Sequence, residues 1–395
     1  MKIKNKGKRR IALRIVLIVA LTVSFVAAVL CNKFIPQRAA DFYGTNLFPY
    51  ISSPAQNINM YFQYSLTENL VLCGVPLLAT GIIVWVVFLI KKFMSHGALP
   101  YLYKSYRNVM VVALLVAVIF QAMHGINYRR TDVKDELELT EKELTFEDYC
   151  AALKWAYNGM VEARSHLGED YNGIAHMSES FENSAAYANS LVNAFGEEYD
   201  IPVSKNYVRA KPVSMSHYWS YTHIVGMYDP FLGEVNLNTD YMSITEYPIT
   251  LCHELCHSKG YASETDCNLL AALACCSSPR ADFRYAGYYE IFWDIYPVAE
   301  DIAEATGQVV PQYYLTAEME PVYRDMRAQI KYWSNIDDEV DLIYEKMGIH
   351  ITEVSNATND AFLRSNGEVG VVSYQVPDSI YVRFYLTYAS EAANA

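Results

Sequence analysis

The chain has 395 residues and a formal net charge of −13, and 52% of its residues are hydrophobic. The acidic balance argues against the broad basic surface that nucleic-acid-binding proteins need, so no nucleic acid is expected as a partner. The length is sufficient for a membrane module followed by one well-buried domain.

Three apolar runs in the first third of the chain predict membrane-spanning helices. They cover residues 11–31, 70–90 and 108–126, and a span needs about 20 mainly apolar residues. The first run is not followed by a small-residue cleavage site with a sensible mature start, so it is interpreted as a retained anchor. The sequence therefore predicts a multi-pass protein of the cell membrane, with the lipid bilayer as a partner.

Basic residues around these runs predict their orientation. Six Lys or Arg residues lie before residue 11 and four lie between residues 91 and 107, whereas the loop 32–69 contains two. Positive charge concentrates on the cytoplasmic side of membrane proteins. We therefore expect a cytoplasmic N-terminus and an extracytoplasmic domain after residue 128.

Residues 1–128 are predicted to form the membrane anchor. The chain after the anchor divides into an acidic stretch and a large domain. Residues 129–148 are predicted to form a solvated linker or a first helix, and residues 149–395 one mainly α (α+β) domain. Apolar spacing predicts helices over 145–166, 178–195, 288–306, 315–333 and 337–347. Two short strands, 218–228 and 233–238, are predicted on either side of the turn-forming run Asp229-Pro230-Phe231-Leu232.

The segment after this hairpin carries the strongest chemical signal, because Cys252-His253-Glu254-Leu255-Cys256-His257 contains the motif HExxH. Histidines four residues apart project from one face of a helix and can reach one Zn²⁺ together. Glu254 would then point at the open position of the metal and accept a proton from activated water. Two solvated histidines on a surface helix are the alternative. The apolar residues 249–252 favour a buried metal site, since buried imidazoles and carboxylates need partners.

The residues after the motif predict how a third ligand reaches the metal. Gly260 can end the helix in a left-handed conformation, and Ser263 is typical of the N-cap of a second helix. Glu264, in the first turn of that helix, is the predicted third ligand, although it could only complement the helix N-terminus. Asp266 is the alternative ligand, and Asn268 could be a ligand or lie behind one.

This arrangement resembles the zincin metallopeptidases. The run from His253 to Gly260 is similar to the HExxHxxG of the metzincins, with Ser263 in place of their third histidine. Glu264 followed by Asn268 is closer to the E-x-x-A-D of gluzincins. The nearest resemblance is to a family of uncharacterised bacterial membrane proteins with three N-terminal spans and a HExxH domain. The shared runs are Tyr43-Gly44, Leu47-Phe48-Pro49-Tyr50-Ile51, Asp229-Pro230-Phe231-Leu232-Gly233-Glu234-Val235-Asn236 and Phe283-Arg284-Tyr285-Ala286-Gly287-Tyr288.

The zincin resemblance implies two further parts of a site. One is a donor that stabilises the oxyanion of the reaction, for which Tyr374 is preferred and His223 and Tyr285 are alternatives. The other is an edge strand that pairs with an extended peptide or protein substrate. Gly233, Glu234, Val235 and Asn236 are expected to form that strand, unless the hairpin is purely structural.

Other interpretations stay open at this point. Five of the eight cysteines lie on the two site helices, and their apolar neighbours favour buried thiols, although Cys256–Cys267 or Cys252–Cys276 bridges are open pairings. Cys252, Cys256 and His257 also approximate a c-type haem attachment pattern, but that leaves Glu254, Gly260 and Glu264 unexplained. A zinc domain could also be sensory and non-catalytic. The sequence favours a membrane-anchored zinc peptidase whose substrate and oligomeric state it does not identify.

Overall fold

The computed structural model describes the backbone of residues 2–95, 97–348 and 350–390, and the side chains of these residues except 2–10 and 314. The N-terminal part, termed here the membrane module (residues 2–129), is helical. Within the described residues, three helices are long and apolar enough to cross a membrane, over Ile11–Phe34, Leu66–Met94 and Ala98–Met123. The helices of the module are α1 (Lys2–Leu30), α2 (Gln37–Asn46), α3 (Phe48–Asn59), α4 (Leu66–Met94) and α5 (Ala98–Met123).

The three apolar runs predicted to span are thus long helices, with one correction to their bounds. The third was predicted over 108–126, but α5 begins ten residues earlier and ends at Met123. Residues 98–107 are rich in Leu and Tyr, which continue the apolar helix, whereas Lys104 and Arg107 misleadingly suggested a later start. Gly97 lies just before the observed helix.

The domain-facing ends of the three long helices lie together. Gln121 Nε2 donates to the carbonyl of Val29 over 3.2 Å, so the ends of α5 and α1 are adjacent. The backbone N–H of Leu66, the first residue of α4, donates to the Glu234 carboxylate in the domain over 3.0 Å. The turn between α4 and α5 therefore lies at the far end of the bundle from the domain.

The rest of the chain, termed here the HExxH domain (residues 130–390), is mainly helical with one small sheet. Its helices are α6 (Val133–Glu136), α7 (Phe146–Ser165), α8 (Phe181–Glu198), α9 (Ser216–Ser220), α10 (Tyr247–Ser258), α11 (Glu264–Cys276), α12 (Ala281–Thr306), α13 (Met319–Met347), α14 (Ile351–Asn366) and α15 (Asp378–Phe384). Its strands are β1 (Ala210–Pro212), β2 (Gly226–Asp229) and β3 (Glu234–Leu237).

Most predicted helices are present with shifted ends. A capping box between Thr145 and Asp148 starts α7 close to the predicted position. α12 begins seven residues before the predicted 288. The predicted helices 315–333 and 337–347 are one helix, α13, because the residues between them, Ser334-Asn335-Ile336, include no glycine or proline to interrupt it.

The strand order β1-β3-β2 corrects the prediction of an edge strand. β3 pairs in parallel with β1 and antiparallel with β2, so it is the central strand, and β2 lies at the edge. Most of the predicted strand 218–228 is helix or loop, and its pairing begins at Gly226. Gly233, Glu234, Val235 and Asn236 therefore cannot offer a free edge to a substrate.

Glu234 instead fastens the sheet to the membrane module. Its buried carboxylate accepts hydrogen bonds from the N–H groups of Leu66 and Thr67 at the start of α4, over 3.0 and 2.7 Å. It also forms a fully buried ion pair with Lys211 on β1. The carboxylate charge is favourable at a helix N-terminus. A residue predicted to bind substrate thus holds the domain and α4 together.

The acidic stretch, predicted as a solvated linker or a first helix, contains the short helix α6 and packs on the domain. Val133 and Leu137, four residues apart on and after α6, are buried in the main core, while Asp132 and Asp135 face solvent. Arg130 is also buried, and its guanidinium lies 4.1 Å from the centre of the Tyr261 ring and donates to the carbonyl of Gly260 over 2.7 Å. The segment therefore braces the turn that follows the HExxH helix and is not a solvated spacer.

The HExxH helix α10 lies at the centre of the domain. Every residue from Leu251 to Tyr261 is buried, and α8, α11 and α12 surround α10. The structure describes all eight cysteines and each is free. Neither bridge considered from the sequence is therefore formed, and the sulfurs of Cys252 and Cys275 lie 3.7 Å apart without a bond. These thiols fill the core as small apolar groups.

Candidate metal centre

Three side chains converge at the start of α11 and the face of α10. The Nε2 atoms of His253 and His257 lie 3.1 Å apart, and Glu264 Oε2 lies 3.1 and 3.4 Å from them respectively. Gly260 makes this convergence possible, because its φ of +99° turns the chain sharply after α10. The Ser263 hydroxyl then caps α11, which places Glu264 in its first turn.

The hydrogen bonds behind the histidines fix which nitrogens face the centre. His253 Nδ1 lies 2.6 Å from Asn268 Oδ1, and His257 Nδ1 lies 3.0 Å from the carbonyl oxygen of Tyr261. Both partners are acceptors, so each Nδ1 carries the proton and each Nε2 of a neutral ring presents a lone pair. When both rings are neutral, two nitrogen lone pairs and a carboxylate oxygen therefore point at one place.

This spacing fits a tetrahedral Zn²⁺. Bonds of about 2.0–2.1 Å to nitrogen and oxygen imply ligand-to-ligand distances of about 3.4 Å in a tetrahedron. The three distances of 3.1, 3.1 and 3.4 Å lie close to that value. A cation, or a proton in its absence, is needed to offset the repulsion between the three electron-rich atoms.

The electrostatics of the buried trio agree with a cation site. Burial lowers the pKa of His257, but the charge and hydrogen bond of Glu264 raise it more, to about 9. Burial raises the pKa of Glu264, but His257 and His253 lower it further, to well below its usual range. Glu264 is therefore an anion at a largely buried position on the floor of the site, which is the charge state a metal ligand requires.

Glu254 lies beside the trio against the edge strand. A Cβ at position 226 would lie 2.6 Å from Glu254 Cγ, so only glycine lets the carboxyl approach β2 this closely. Burial raises the pKa of Glu254, and the neighbouring His253 and His257 offset part of that increase. A buried carboxylate with a raised pKa next to the ligands is suited to accept and return a proton.

Two of the predicted oxyanion donors line the cleft above these residues, and one does not. Tyr374 stacks on His253 with ring centres 6.3 Å apart. His223 lines the same cleft, but its Nε2 lies 2.9 Å from Asp337 Oδ1, which occupies that nitrogen. Tyr285 lies in the core, where its hydroxyl donates to Asp325 over 3.0 Å, so its assignment as an oxyanion donor is wrong.

Asp266 also lies apart from the cluster of ligand atoms. Its Oδ1 accepts a hydrogen bond from the N–H of Val133 over 2.9 Å, and burial raises its pKa to about 8. Asn268 does not join the ligand atoms but lies behind His253. Cys252 and Cys256 are fully buried in the core and do not line the cleft, so the thioether attachment of the haem interpretation has no accessible sulfur.

Two aromatic residues at the centre were not anticipated from the sequence. Tyr228 on β2 stacks on His257 at an interplanar angle of 19°, with ring centres 6.3 Å apart. His124, the residue after the third span, meets the ring of His257 edge-on at 5.7 Å. Burial lowers the pKa of His124 to about 3, so this ring is neutral. A histidine directly after a span was the one local signal that could have identified His124.

A cleft of about 1060 Å³ opens over the three converging side chains and Glu254. One wall is β2 with the loop before it, residues 222–228. The opposite wall is one face of α14, with residues spaced by three and four positions along the helix: Ile351, Val354, Ser355, Thr358, Asn359 and Phe362. The site is therefore a groove between an edge strand and a helix, with the ligand atoms at its floor.

Comparison with known proteins places the chain in a family. A family model described as "Protein of unknown function (DUF3810)" matches residues 43–377. The chain belongs to this family. The match includes the second and third long apolar helices, the sheet and the complete HExxH site. No curated protein and no solved structure matches the chain.

Proposed function

We propose that this DUF3810 family member is a membrane-anchored, zinc-dependent peptidase. The convergence of His253 Nε2, His257 Nε2 and Glu264 Oε2 at near-tetrahedral spacing, beside the buried carboxyl of Glu254, carries the proposal. The zincin-like arrangement expected from HExxH thus has the required side chains in one place. It combines a site for a Lewis acid with an adjacent base and a cleft of about 1060 Å³ between an edge strand and a helix.

His253, His257 and Glu264 would hold the zinc ion, with Asn268 and the Tyr261 carbonyl orienting the two imidazoles. When bound, zinc would supply Lewis-acid chemistry, polarising a peptide carbonyl and making water more acidic. Glu254 would accept the proton of the attacking water and pass it to the leaving amine. The raised pKa of Glu254 brings its proton affinity closer to the value that both transfers need.

The edge strand β2 would bind the peptide backbone. Among the described residues, β2 pairs with β3 alone, so its second edge is open, and Gly226, Met227 and Tyr228 line the cleft. An extended chain can add to such an edge through backbone hydrogen bonds. Tyr374, on the side of His253, would stabilise the developing oxyanion through its hydroxyl.

The cellular placement is part of the proposal. The basic N-terminus favours the cytoplasm, and α1, α4 and α5 as three crossings then put the HExxH domain outside. The contacts of the first turn of α4 and the end of α5 with the domain agree with this topology, because both ends must lie on the domain side.

Glu254→Gln tests the mechanism in the full chain, purified in lipid nanodiscs. We expect about one zinc per chain by elemental analysis in both wild type and variant, and hydrolysis of a quenched peptide library by wild type alone. His257→Ala should lose both metal and hydrolysis. Glu304→Gln, on an exposed part of α12, is the matched control and should behave as wild type.

The outcomes separate the alternatives. Retained hydrolysis in Glu254→Gln would refute the role of this carboxyl. Stoichiometric zinc without hydrolysis of any peptide in the library would favour a non-catalytic zinc domain. Absence of zinc from wild type prepared without chelators would refute the metal site.

A further inference from the structure

The candidate metal centre lies at the end of the third apolar helix. α5 ends at Met123, and the next residue, His124, is already in ring contact with the ligand His257 at 5.7 Å. Apolar side chains remain exposed along α5 as far as Val118, which is half exposed. If α5 crosses the bilayer, Val118 marks the depth at which exposure to lipid ends. The centre therefore lies within about two helical turns of the bilayer surface, roughly 10 Å measured along α5.

Residues at one end of the cleft contact α5. Phe120 on α5 contacts Phe362, which closes the cleft face of α14, with ring centres 6.0 Å apart. It also contacts Phe231, in the turn at the end of β2, at 6.2 Å. Both walls of the groove thus meet α5 one turn before its end, and a chain in the groove would leave it beside the membrane surface.

The mouth of the cleft has exposed apolar side chains. Phe231 and Phe362 are each more than 40% exposed, and so is Val371, which lines the cleft next to Tyr374. Val369 and Val372 are more than half exposed beside it. Apolar side chains grouped in this way are typical of a surface that meets a partner or the headgroup region of a bilayer.

The interior of the cleft selects against charge. Of the described residues that line it, none is Lys, Arg or Asp, and the two carboxylates, Glu254 and Glu264, belong to the candidate centre. The wall opposite β2 presents Ile351, Val354 and Phe362 with hydroxyl and amide side chains between them. Away from the candidate centre and the His223–Asp337 pair, the described lining residues offer no counter-charge for an ionised side chain, so burying one there is costly.

Building on the proposed peptidase function, we propose that the substrate is a polypeptide tethered to the same membrane. It is bound in an extended, uncharged segment next to its own anchor. The edge strand supplies the backbone contacts, and the neutral walls of the groove accept small polar or apolar side chains. A distance of roughly 10 Å from the bilayer surface corresponds to about three extended residues at 3.3 Å each. The scissile bond therefore lies within the first few residues after the anchor.

A repeat peptide tests this directly. The full chain is reconstituted in liposomes with a 24-residue peptide of identical uncharged four-residue cassettes, which carries two acyl chains at one end so that it stays in the bilayer. Because each register offers the same sequence, mass spectrometry of the products reports where along the tether the enzyme cuts. The same peptide without acyl chains and a tethered version with Glu in each cassette are the controls, and Glu254→Gln identifies contaminating activity.

We expect cuts to cluster within about four residues of the anchor, the length of one cassette. We expect the tethered peptide to be cleaved at least tenfold faster than the free peptide, since tethering commonly raises effective concentration by a factor on the order of 10². The Glu-containing peptide should be cleaved at least tenfold more slowly.

Cuts spread evenly along the repeats, or equal rates for tethered and free peptides, would overturn the proposal for a membrane-tethered substrate and leave the peptidase function intact. Faster cleavage of the Glu-containing peptide would overturn the proposed selectivity for uncharged segments. If wild type cleaves none of the peptides, free or tethered, the proposed function fails and this inference fails with it.

Discussion

Substitution of Asn268 should change the metal affinity of the candidate centre while all three proposed ligands are kept. Its Oδ1 lies 2.6 Å from His253 Nδ1, and its Nδ2 donates to the carbonyl of Tyr374 over 2.5 Å. In Asn268→Leu the Nδ1–H of a nearly buried imidazole loses its acceptor, at a cost of about 1–3 kcal/mol. Loss of a partner behind a metal-bound histidine typically lowers metal affinity about 10- to 100-fold, which is the same range.

The assay is a competition between the purified chain and a chromogenic zinc chelator of known affinity, at fixed pH. Asn268→Asp is the matched control, because it keeps an acceptor for His253 but loses the donor to Tyr374. We expect the Leu variant to bind zinc 10- to 100-fold more weakly and the Asp variant to bind at least as tightly as wild type. Equal weakening in both variants would assign the effect to the Tyr374 segment, and wild-type affinity in the Leu variant would refute the orienting role.

Three further substitutions test the surroundings of the site. In Gly226→Ala the new Cβ, 2.6 Å from Glu254 Cγ, should displace the proposed general base and lower hydrolysis at least tenfold while zinc content stays at wild-type level. Glu234→Gln removes the counter-charge of the buried Lys211 and should lower the free energy of unfolding by about 3–5 kcal/mol. The measurement is the temperature at which the buried thiols become reactive on heating, which should be lower in the variant. Burial raises the pKa of Glu290 from 4.5 to about 7, and the charges of neighbouring carboxylates contribute a smaller part of this increase. The folded chain therefore holds this proton more tightly and loses stability as pH rises from about 4.5 to 7. Glu290→Gln should raise the melting temperature at pH 8 and leave it unchanged at pH 4.

The parts that could be predicted from the sequence are those encoded by local patterns. Long apolar runs identify the three candidate spans, because a helix in a bilayer must be apolar over its whole length. The spacing of His253 and His257, the turn at Gly260 and the N-cap at Ser263 together predict that Glu264 returns to the histidines. Each of these steps depends on residues within a few positions of one another, where backbone geometry alone determines which side chains meet.

The parts that were missed depend on residues far apart in the chain. Glu234 was predicted to bind substrate because the strand before the HExxH helix is the substrate-binding edge in zincins. Its partners instead lie at positions 66 and 67 and on β1, a three-residue strand with no periodic signal of its own. His124 is separated from His257 by more than 130 residues. No local propensity distinguishes a central strand from an edge strand, since that depends on which other strands are present.

These long-range contacts make the membrane module part of the candidate site. α10 and α11 carry the proposed ligands, but β2 is paired with β3, and Glu234 on β3 accepts hydrogen bonds from the first turn of α4. His124, the residue after α5, is a second connection between the module and the candidate site, because its ring packs on His257. Separating the HExxH domain from the spans would leave the buried Glu234 carboxylate without the N–H donors of Leu66 and Thr67 and would remove the ring of His124 from its contact with His257. The geometry of the centre is therefore set jointly by the domain and by the helices that anchor it.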